Sequence, residues 1–411
     1  MLGESGRRRV LAVLCVTEIV SWGVLYYAFP VLAPSIAADT GWSISATTAA
    51  FSSGLVISAA AGIPAGRLLD RIGPRPVMTV GSLLAVPAVV GIALAPNFGW
   101  FLAAWSLAGI AMAGTLYPPA FAALTRWWGP RRVTALTVLT LLAGLASTIF
   151  APTTAALLDR VGWRHTYLVL AVVLAVVTIP AHLAGLRGPW PGPDSAAEDE
   201  ATRRVDAEQS PDRIARSRPF LMLVAAVALA TFTAFAVVVN QVPLLIERGL
   251  STTTAAWALG LGGLGQVLGR LGYRRLAATA GVRARTMVVL ALSAAATGLL
   301  AVLPGPAGLL IAAAVLAGSA RGVFTLLQAT AITDRWGAVH YGRLNGLLSA
   351  PALLATALAP WAGAALATAL GGYPAVFVVL TGCAVVAALL AVGSVPPLDG
   401  GRRQTRLDPR S

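Results

Sequence analysis

Twelve apolar stretches, each about 20 residues or longer and set apart by short polar turns, constrain this chain more than anything else in it. They run roughly over 10–32, 47–69, 77–96, 100–124, 133–157, 164–186, 219–246, 253–273, 285–304, 306–332, 342–368 and 373–395. About 20 mainly apolar residues let a helix cross a bilayer, and in hydrocarbon each backbone polar group has to be bonded within the structure itself. Of 411 residues, 57% are hydrophobic and only 11% charged, against about 25% charged in a soluble domain. So little charge cannot cover a water-facing surface of normal size. The pattern predicts an all-α membrane protein with twelve transmembrane helices. Both cysteines, Cys15 and Cys383, sit inside apolar runs, so no disulfide framework is expected. Arg7-Arg8-Arg9 before the first run resembles the start of a signal peptide. The run is too long for one and has no clear cleavage site, which makes it a retained first helix.

A net charge of +14 would suggest nucleic acid in a soluble chain. Here every one of the 30 basic residues is arginine, and they gather in short turns rather than on one helix face, so no nucleic-acid partner is expected. Only Arg160, Arg164 and Arg248 fall on one side of the expected membrane. Arg270 and Arg321 fall within helices, and the rest fall on the other side or in the tails. The positive-inside rule then places both termini in the cytoplasm. Residues 187–218 are Pro-rich, then acidic (Glu198-Asp199-Glu200), then mixed in charge, and read as a solvated linker. The expected division is residues 1–186, a six-helix bundle; 187–218, a cytoplasmic linker; and 219–411, a second six-helix bundle with a short basic tail.

The halves are copies. Gly66 to Arg75 reads GRLLDRIGPR, and Arg274 to Arg283, 208 positions later, reads RRLAATAGVR. At nearly the same offset Ala108-Gly109 matches Ala317-Gly318, Arg126-Trp127 matches Arg335-Trp336, and Ala151-Pro152 matches Ala359-Pro360. Six helices per copy is an even number, so the copies share one topology and an axis along the membrane normal relates them.

With these features in hand, the chain resembles the major facilitator superfamily. That family carries approximately G-x-x-x-D-R-x-G-x-R between its second and third helices. Gly66, Asp70, Arg71, Gly73 and Arg75 match it in full. Ala-Pro-Thr-Thr-Ala-Ala at 151–156 is similar to a helix-5 motif more typical of antiporters, with alanine for three glycines. The resemblance implies two bundles around a central cavity, and an inner gate that this motif locks in one state. From the residues alone, Gly62 and Gly66 are spaced to admit a close helix neighbour, and Asp70 is able to accept hydrogen bonds from arginines or a helix N-terminus. Arg67, Arg71 and Arg75 would otherwise serve as topology anchors. Ala278 stands where Asp70 stands in the second copy, so an acidic latch is expected on one side only.

Three charges lie well inside predicted helices: Glu18, Arg270 and Arg321. A charge at the bilayer centre costs about 2.5–3.5 kcal/mol on insertion scales, so such groups face a cavity or a partner. Glu18, Trp22 and Tyr26 share one stripe of the first helix, with Tyr27 beside it. A carboxylate taken out of water is able to carry a proton near neutral pH, which makes Glu18 the candidate for proton coupling; a structural carboxylate paired with an arginine or a backbone group is the alternative. Gln266 lies one turn before Arg270, and Gln328 follows Arg321 at helical spacing. Two arginines against one glutamate favour an anionic substrate, because the guanidinium fork matches a carboxylate. Tyr117, ahead of a Pro118-Pro119 kink, and Asn240 and Gln241 complete the expected substrate-binding set.

Gly269-Arg270-Leu271 is similar to the helix-8 pattern of monocarboxylate transporters and oxalate–formate antiporters, in which an arginine meets the substrate carboxylate. Ser21-Trp22-Gly23 with Glu18 is weakly similar to the acidic-Gly-Trp signature of that branch, although Glu18 is one position early and Val24 replaces a second tryptophan. Three scattered histidines have no metal spacing, and neither a nucleophile–base set nor a phosphate loop is present in the sequence. The expectation is therefore a secondary active transporter rather than an enzyme, without cofactor or metal. It would be monomeric in the plasma (cell inner) membrane and carry a small organic anion, such as a monocarboxylate, with protons. Efflux of amphipathic drugs is the alternative within transport, and a non-transporting membrane ligand sensor the alternative outside it.

Overall fold

The computed structural model describes residues 3–190, 211–337 and 341–396, and among them it contains helices and connecting turns only. The run Glu198-Asp199-Glu200, His340 and the basic tail after residue 396 lie outside the described residues. Ten helices are long and apolar enough to cross a membrane. The first four are α1 (Glu4–Thr40), α2 (Ile44–Ile72), α3 (Pro74–Ala93) and α4 (Phe98–Trp128). The next, Thr134–Gly185, has 52 residues, about 78 Å if straight and far longer than a bilayer needs. It is not one rod. Gly162 adopts φ 74°, which interrupts the helix, and the chain turns back there. Ala135 and Leu139 on the outward arm share a core cluster with Leu186 beyond the returning arm. The two arms are α5 (132–161) and α6 (163–185).

The second half follows as α7 (Arg218–Glu247), α8 (Thr252–Thr279), α9 (Val282–Val302), α10 (Ala307–Thr330), α11 (Tyr341–Leu370) and α12 (Tyr373–Val392). α8 is outside the ten because its threonines and glycines lower its hydropathy. The boundaries follow local chemistry. Ser43, Asn97, Ser217 and Ser251 each cap a helix by accepting a backbone N–H of its first turn. Gly73, at φ 83°, ends α2, and Pro74 opens α3.

The duplication has a packing counterpart. A Cβ on Gly109 would overlap the Gly54 carbonyl where α4 crosses α2, and a Cβ on Gly318 would overlap the Gly262 carbonyl where α10 crosses α8. Gly54 and Gly262 are 208 residues apart, the repeat offset. The expected close approach at Gly62 and Gly66 is corrected: nothing lies within 4 Å of a Cβ at either. α2 contacts its neighbour two turns earlier, at Gly54, and meets open space at Gly62 and Gly66.

That open space has a definite side. The arginine-bearing turns lie at one end of the molecule, here the basic end. At the opposite, far end, one hydrophobic core takes Trp163, Ala93 and Ala95 from the first half together with Leu245 and Ala255 from the second. At the basic end the halves have separate cores, one around Val10 and Leu124 and one around Phe220 and Leu344. The halves meet along α2 with α11 and α5 with α8, are sealed at the far end, and part at the basic end.

Candidate functional site

The central site is built on a defect in α1. Residues Gly23–Tyr27 form a π-helical turn, a feature often found at functional positions. Gly23 allows it, since a Cβ there would overlap the Phe150 ring of α5. The wider turn puts both Tyr26 and Tyr27 within reach of Trp22, with ring centroids 5.4 and 6.3 Å away. Period-3.6 reasoning finds Tyr26 but has no signal for the bulge. Tyr117 packs on Trp22 at 5.1 Å and stacks on Phe121 at 4.9 Å. It is placed there by a break in α4 at Leu116, which is extended (ψ −169°), followed by Pro118 and Pro119, in line with the expected kink. Phe235 of α7 closes the aromatic cluster at 6.1 Å from Tyr26.

The membrane charges converge on these rings. Glu18 is 0% exposed, and the Trp22 indole, one turn along α1, acts on its carboxylate. Among the described residues no arginine forms an ion pair with it. Arg270 is 7% exposed. Its Nη1 donates to the Thr140 carbonyl of α5, and the guanidinium interacts with Tyr117 and Tyr27, so it bridges the two halves instead of reaching out toward water. Arg321 acts on Tyr26 from α10. Toward the basic end a cavity of about 670 Å³ opens beside Arg270, lined by Thr137, Thr140, Leu141, Arg275 and Leu326.

The polar neighbours distribute differently from the sequence expectation. Gln266, one turn from Arg270, instead accepts a hydrogen bond from Arg321 Nε at 2.7 Å. Asn240 does not face the cluster: its Nδ2 donates to the carbonyls of Ala236 (2.9 Å) and Pro360 (3.5 Å), tying α7 to α11. Gln241 faces a small cavity inside the second half, with Thr233, Ser293, Thr297 and Arg321. Gln328 is half-buried two turns along α10 from Arg321. His182, a histidine without metal spacing, is buried against Ser82 at 2.8 Å.

At the basic end Arg126 Nη2 donates to Asp70 at 2.6 Å, linking the end of α4 to the end of α2. The start of the linker covers this pair. Trp190 donates to the Asp70 carbonyl (3.1 Å), Arg126 lies over its ring at 4.7 Å, and Trp127 donates to the Pro189 carbonyl (3.0 Å). Arg75 donates to the Leu183 carbonyl (2.8 Å) and Arg9 to that of Arg187 (2.8 Å). Residues 187–190 are therefore docked, not a free spacer. Arg67 and Arg71 are exposed.

The second half has an acidic pair of its own at a different position. With Ala278 in the Asp70 position, the second half uses Asp334, after α10, to pair with Arg285 of α9. Arg285 lies over the Tyr273 ring at 5.6 Å, and Arg335 holds Thr286 and Ser394. Burial pulls the Arg335 guanidinium down to about 10. Asp334 next to the repeated Arg-Trp pair is the sequence signal for this second clamp.

A profile of the Major Facilitator Superfamily matches residues 14–305 and 221–410. The chain belongs to the major facilitator superfamily. It is a multi-pass membrane protein of a transporter family, not an enzyme family. Among its relatives, Monocarboxylate transporter 11 of Homo sapiens is 30% identical over 59% of this chain and 50% of its own length. Multidrug resistance protein MdtL of Escherichia coli O81 (strain ED1a) is 30% identical over 56% of this chain and 57% of its own. An uncharacterized 38 kDa protein in the 23S RNA operon of Thermoproteus tenax is 32% identical over 40% of this chain and 43% of its own. The chain thus spans about half the length of the curated relatives it matches. Among solved structures, a bacterial homolog of the human lysosomal transporter Spinster, inward-facing and unoccupied, superposes with TM-score 0.74 at 14% identity over 96% of this chain and 98% of that one. The nucleoside transporter NupG gives 0.72 at 13%, over 95% and 99%. Both carry the superfamily fold.

Proposed function

We propose that this superfamily member is a secondary active transporter that carries a small organic anion, a monocarboxylate, together with protons. It works as a monomer in the cell's plasma (inner) membrane with both termini in the cytoplasm, so that the basic end is the cytoplasmic face. One observation carries the reading. Arg270 and Arg321 approach one aromatic cluster from the second half, and among the described residues no carboxylate pairs with either. One buried and one half-buried cation without a counter-ion favour an anionic ligand. The similarity to a monocarboxylate transporter supports the same substrate class. Glu18, buried and without a paired cation among the described residues, supplies the proton-carrying group, and the opening toward the basic end corresponds to the cytoplasm-open half of an alternating cycle.

The test is uptake into proteoliposomes of a panel of labelled acids under an imposed pH gradient. Parent-rate transport by both Arg270→Ala and Arg321→Ala would remove the anion site. A second reading, efflux of amphipathic compounds, is favoured by the ring-lined site and by the similarity to MdtL. Transport of cationic dyes but no acids in the same vesicles would select it. Ligand binding with no flux of any compound would instead select the membrane sensor.

A further inference from the structure

The motif ending α2 occurs a second time within the first half, at the end of α5. Residues 68–73 read Leu-Leu-Asp-Arg-Ile-Gly and residues 157–162 read Leu-Leu-Asp-Arg-Val-Gly. Five of six positions are identical, and the sixth exchanges Ile72 for Val161. The two glycines share a backbone solution as well, Gly73 at φ 83° and Gly162 at φ 74°. α2 and α5 are three helices apart. An odd number of crossings inverts direction, so the two copies cap opposite ends of the molecule: Asp70 the basic end, Asp159 the far end. This is the signature of an inverted repeat nested within one six-helix half.

The copies differ in what they hold. Asp70 is engaged within its own half, by Arg126 at 2.6 Å. Asp159 reaches across to the other half, where Thr253 Oγ1 donates to its Oδ2 at 2.7 Å. Thr253 lies in the first turn of α8, behind the Ser251 cap, where an approaching carboxylate is also favoured by the helix dipole. Further along the same helix pair Thr148 donates to the Gly260 carbonyl at 2.8 Å. The far end, where this bond sits, is the closed one.

We infer that Asp159 is a latch residue, the far-end counterpart of Asp70, which holds the first half to the start of α8 while the basic end is open. The inverted repeat exchanges α2 with α5 and α8 with α11, and α2–α11 and α5–α8 are the two seams along which the halves meet. The same rule gives Asp70 a reciprocal partner at the start of α11 once the basic end closes. Both acids belong to the first half: Ala278 and Ala367, each 208 positions later, occupy the corresponding positions of the second. The latches therefore act in opposition, each acid favouring the state in which its own end is shut.

The inference rests on the alternating-access part of the proposed function and not on the substrate. It is tested on the full chain in lipid nanodiscs, with spin labels at Arg131→Cys and Arg283→Cys in a Cys15→Ser, Cys383→Ser background. These two positions lie on opposite halves at the basic end, so their separation reads how far that end is open. Removing one hydrogen bond from a surface seam shifts a two-state population by roughly three- to tenfold. Asp159→Ala and, separately, Thr253→Val are expected to raise the basic-end-closed population by that factor. The double variant moves it no further than either alone, and Asp70→Ala moves it the opposite way. Both acids are exposed, so the variants retain the fold. An unmoved distribution in Asp159→Ala, or a shift in the same direction as Asp70→Ala, overturns the inference. A single unchanging distance in every variant overturns alternating access along with it.

Discussion

Arg321 Nε donates to Gln266 Oε1 at 2.7 Å, and the pair exists because α10 lies directly on α8. A Cβ at Gly322, the next residue, would overlap the Gln266 carbonyl. Gln266 thus fixes the fork of Arg321, leaving its terminal nitrogens for a ligand. Gln266→Leu leaves the half-buried Arg321 without its acceptor, at a cost of about 1 kcal/mol or more. The expected result is a KM for the anion raised roughly tenfold or more with the maximal rate less affected. A KM equal to the parent's would show that Gln266 does not orient the site. Gly322→Ala is expected to act in the same direction by pushing the helices apart.

Glu18 predicts a split between two transport modes. Glu18→Gln keeps the side chain's shape but not its charge. It is expected to abolish accumulation driven by a pH gradient while retaining exchange of labelled for unlabelled substrate at equal pH. Because the native carboxylate is buried with no cation paired to it among the described residues, the same variant is expected to raise the melting temperature by a few degrees. Gradient-driven accumulation at the parent level would assign proton coupling to another group.

Gly66 and Gly109 are expected to separate folding from cycling. Nothing lies within 4 Å of a Cβ at Gly66, whereas one at Gly109 would meet the Gly54 carbonyl. Gly109→Ala should lower stability by about 1–3 kcal/mol through overpacking. Gly66→Leu should melt like the parent and yet transport slowly, because a small residue there is needed only when the basic end closes. Thermal melts and uptake rates on the same preparations decide it. Full-rate transport by Gly66→Leu would show that α2 is not approached at that turn.

Trp190 covers the Asp70–Arg126 pair, so its removal should release the start of the linker. In Trp190→Ala, limited trypsin digestion is expected to cleave after Arg187 about fivefold faster or more, the equivalent of about 1 kcal/mol of local protection. An unchanged rate would mean that the Arg9 and Arg75 contacts hold this segment unaided.

Much of the fold was legible because it is written in local signals. Apolar runs of membrane length, arginine-rich turns and a repeat at one offset need no tertiary information, and neither do Ser and Asn caps. The candidate site was partly legible for the same reason. Glu18, Arg270 and Arg321 stand out because charge in an apolar helix is costly. Tyr26 follows from the helical period. Asn240 was misplaced because an amide near a helix end looks alike whether it faces a cavity or ties α7 to α11. Asp334 was missed because its pairing with Arg285 spans two helices, and Asp159 because its motif repeats in inverted direction, at an offset unrelated to the main duplication.

Apolar runs, arginine-rich turns and a single repeat offset already dictate a duplicated helical membrane protein with its charges concentrated at one end, since the bilayer penalises charge within its core. Helix packing sets which end stands open, brings Tyr27 beside Tyr26 and Trp22 through a π-turn, and gives Gln266 to Arg321 rather than Arg270. Those outcomes depend on how helix surfaces approach one another. Whether the helices approach closely is governed by the missing side chains at Gly23, Gly109 and Gly322, and a glycine acquires that meaning only when a neighbouring helix lies against it.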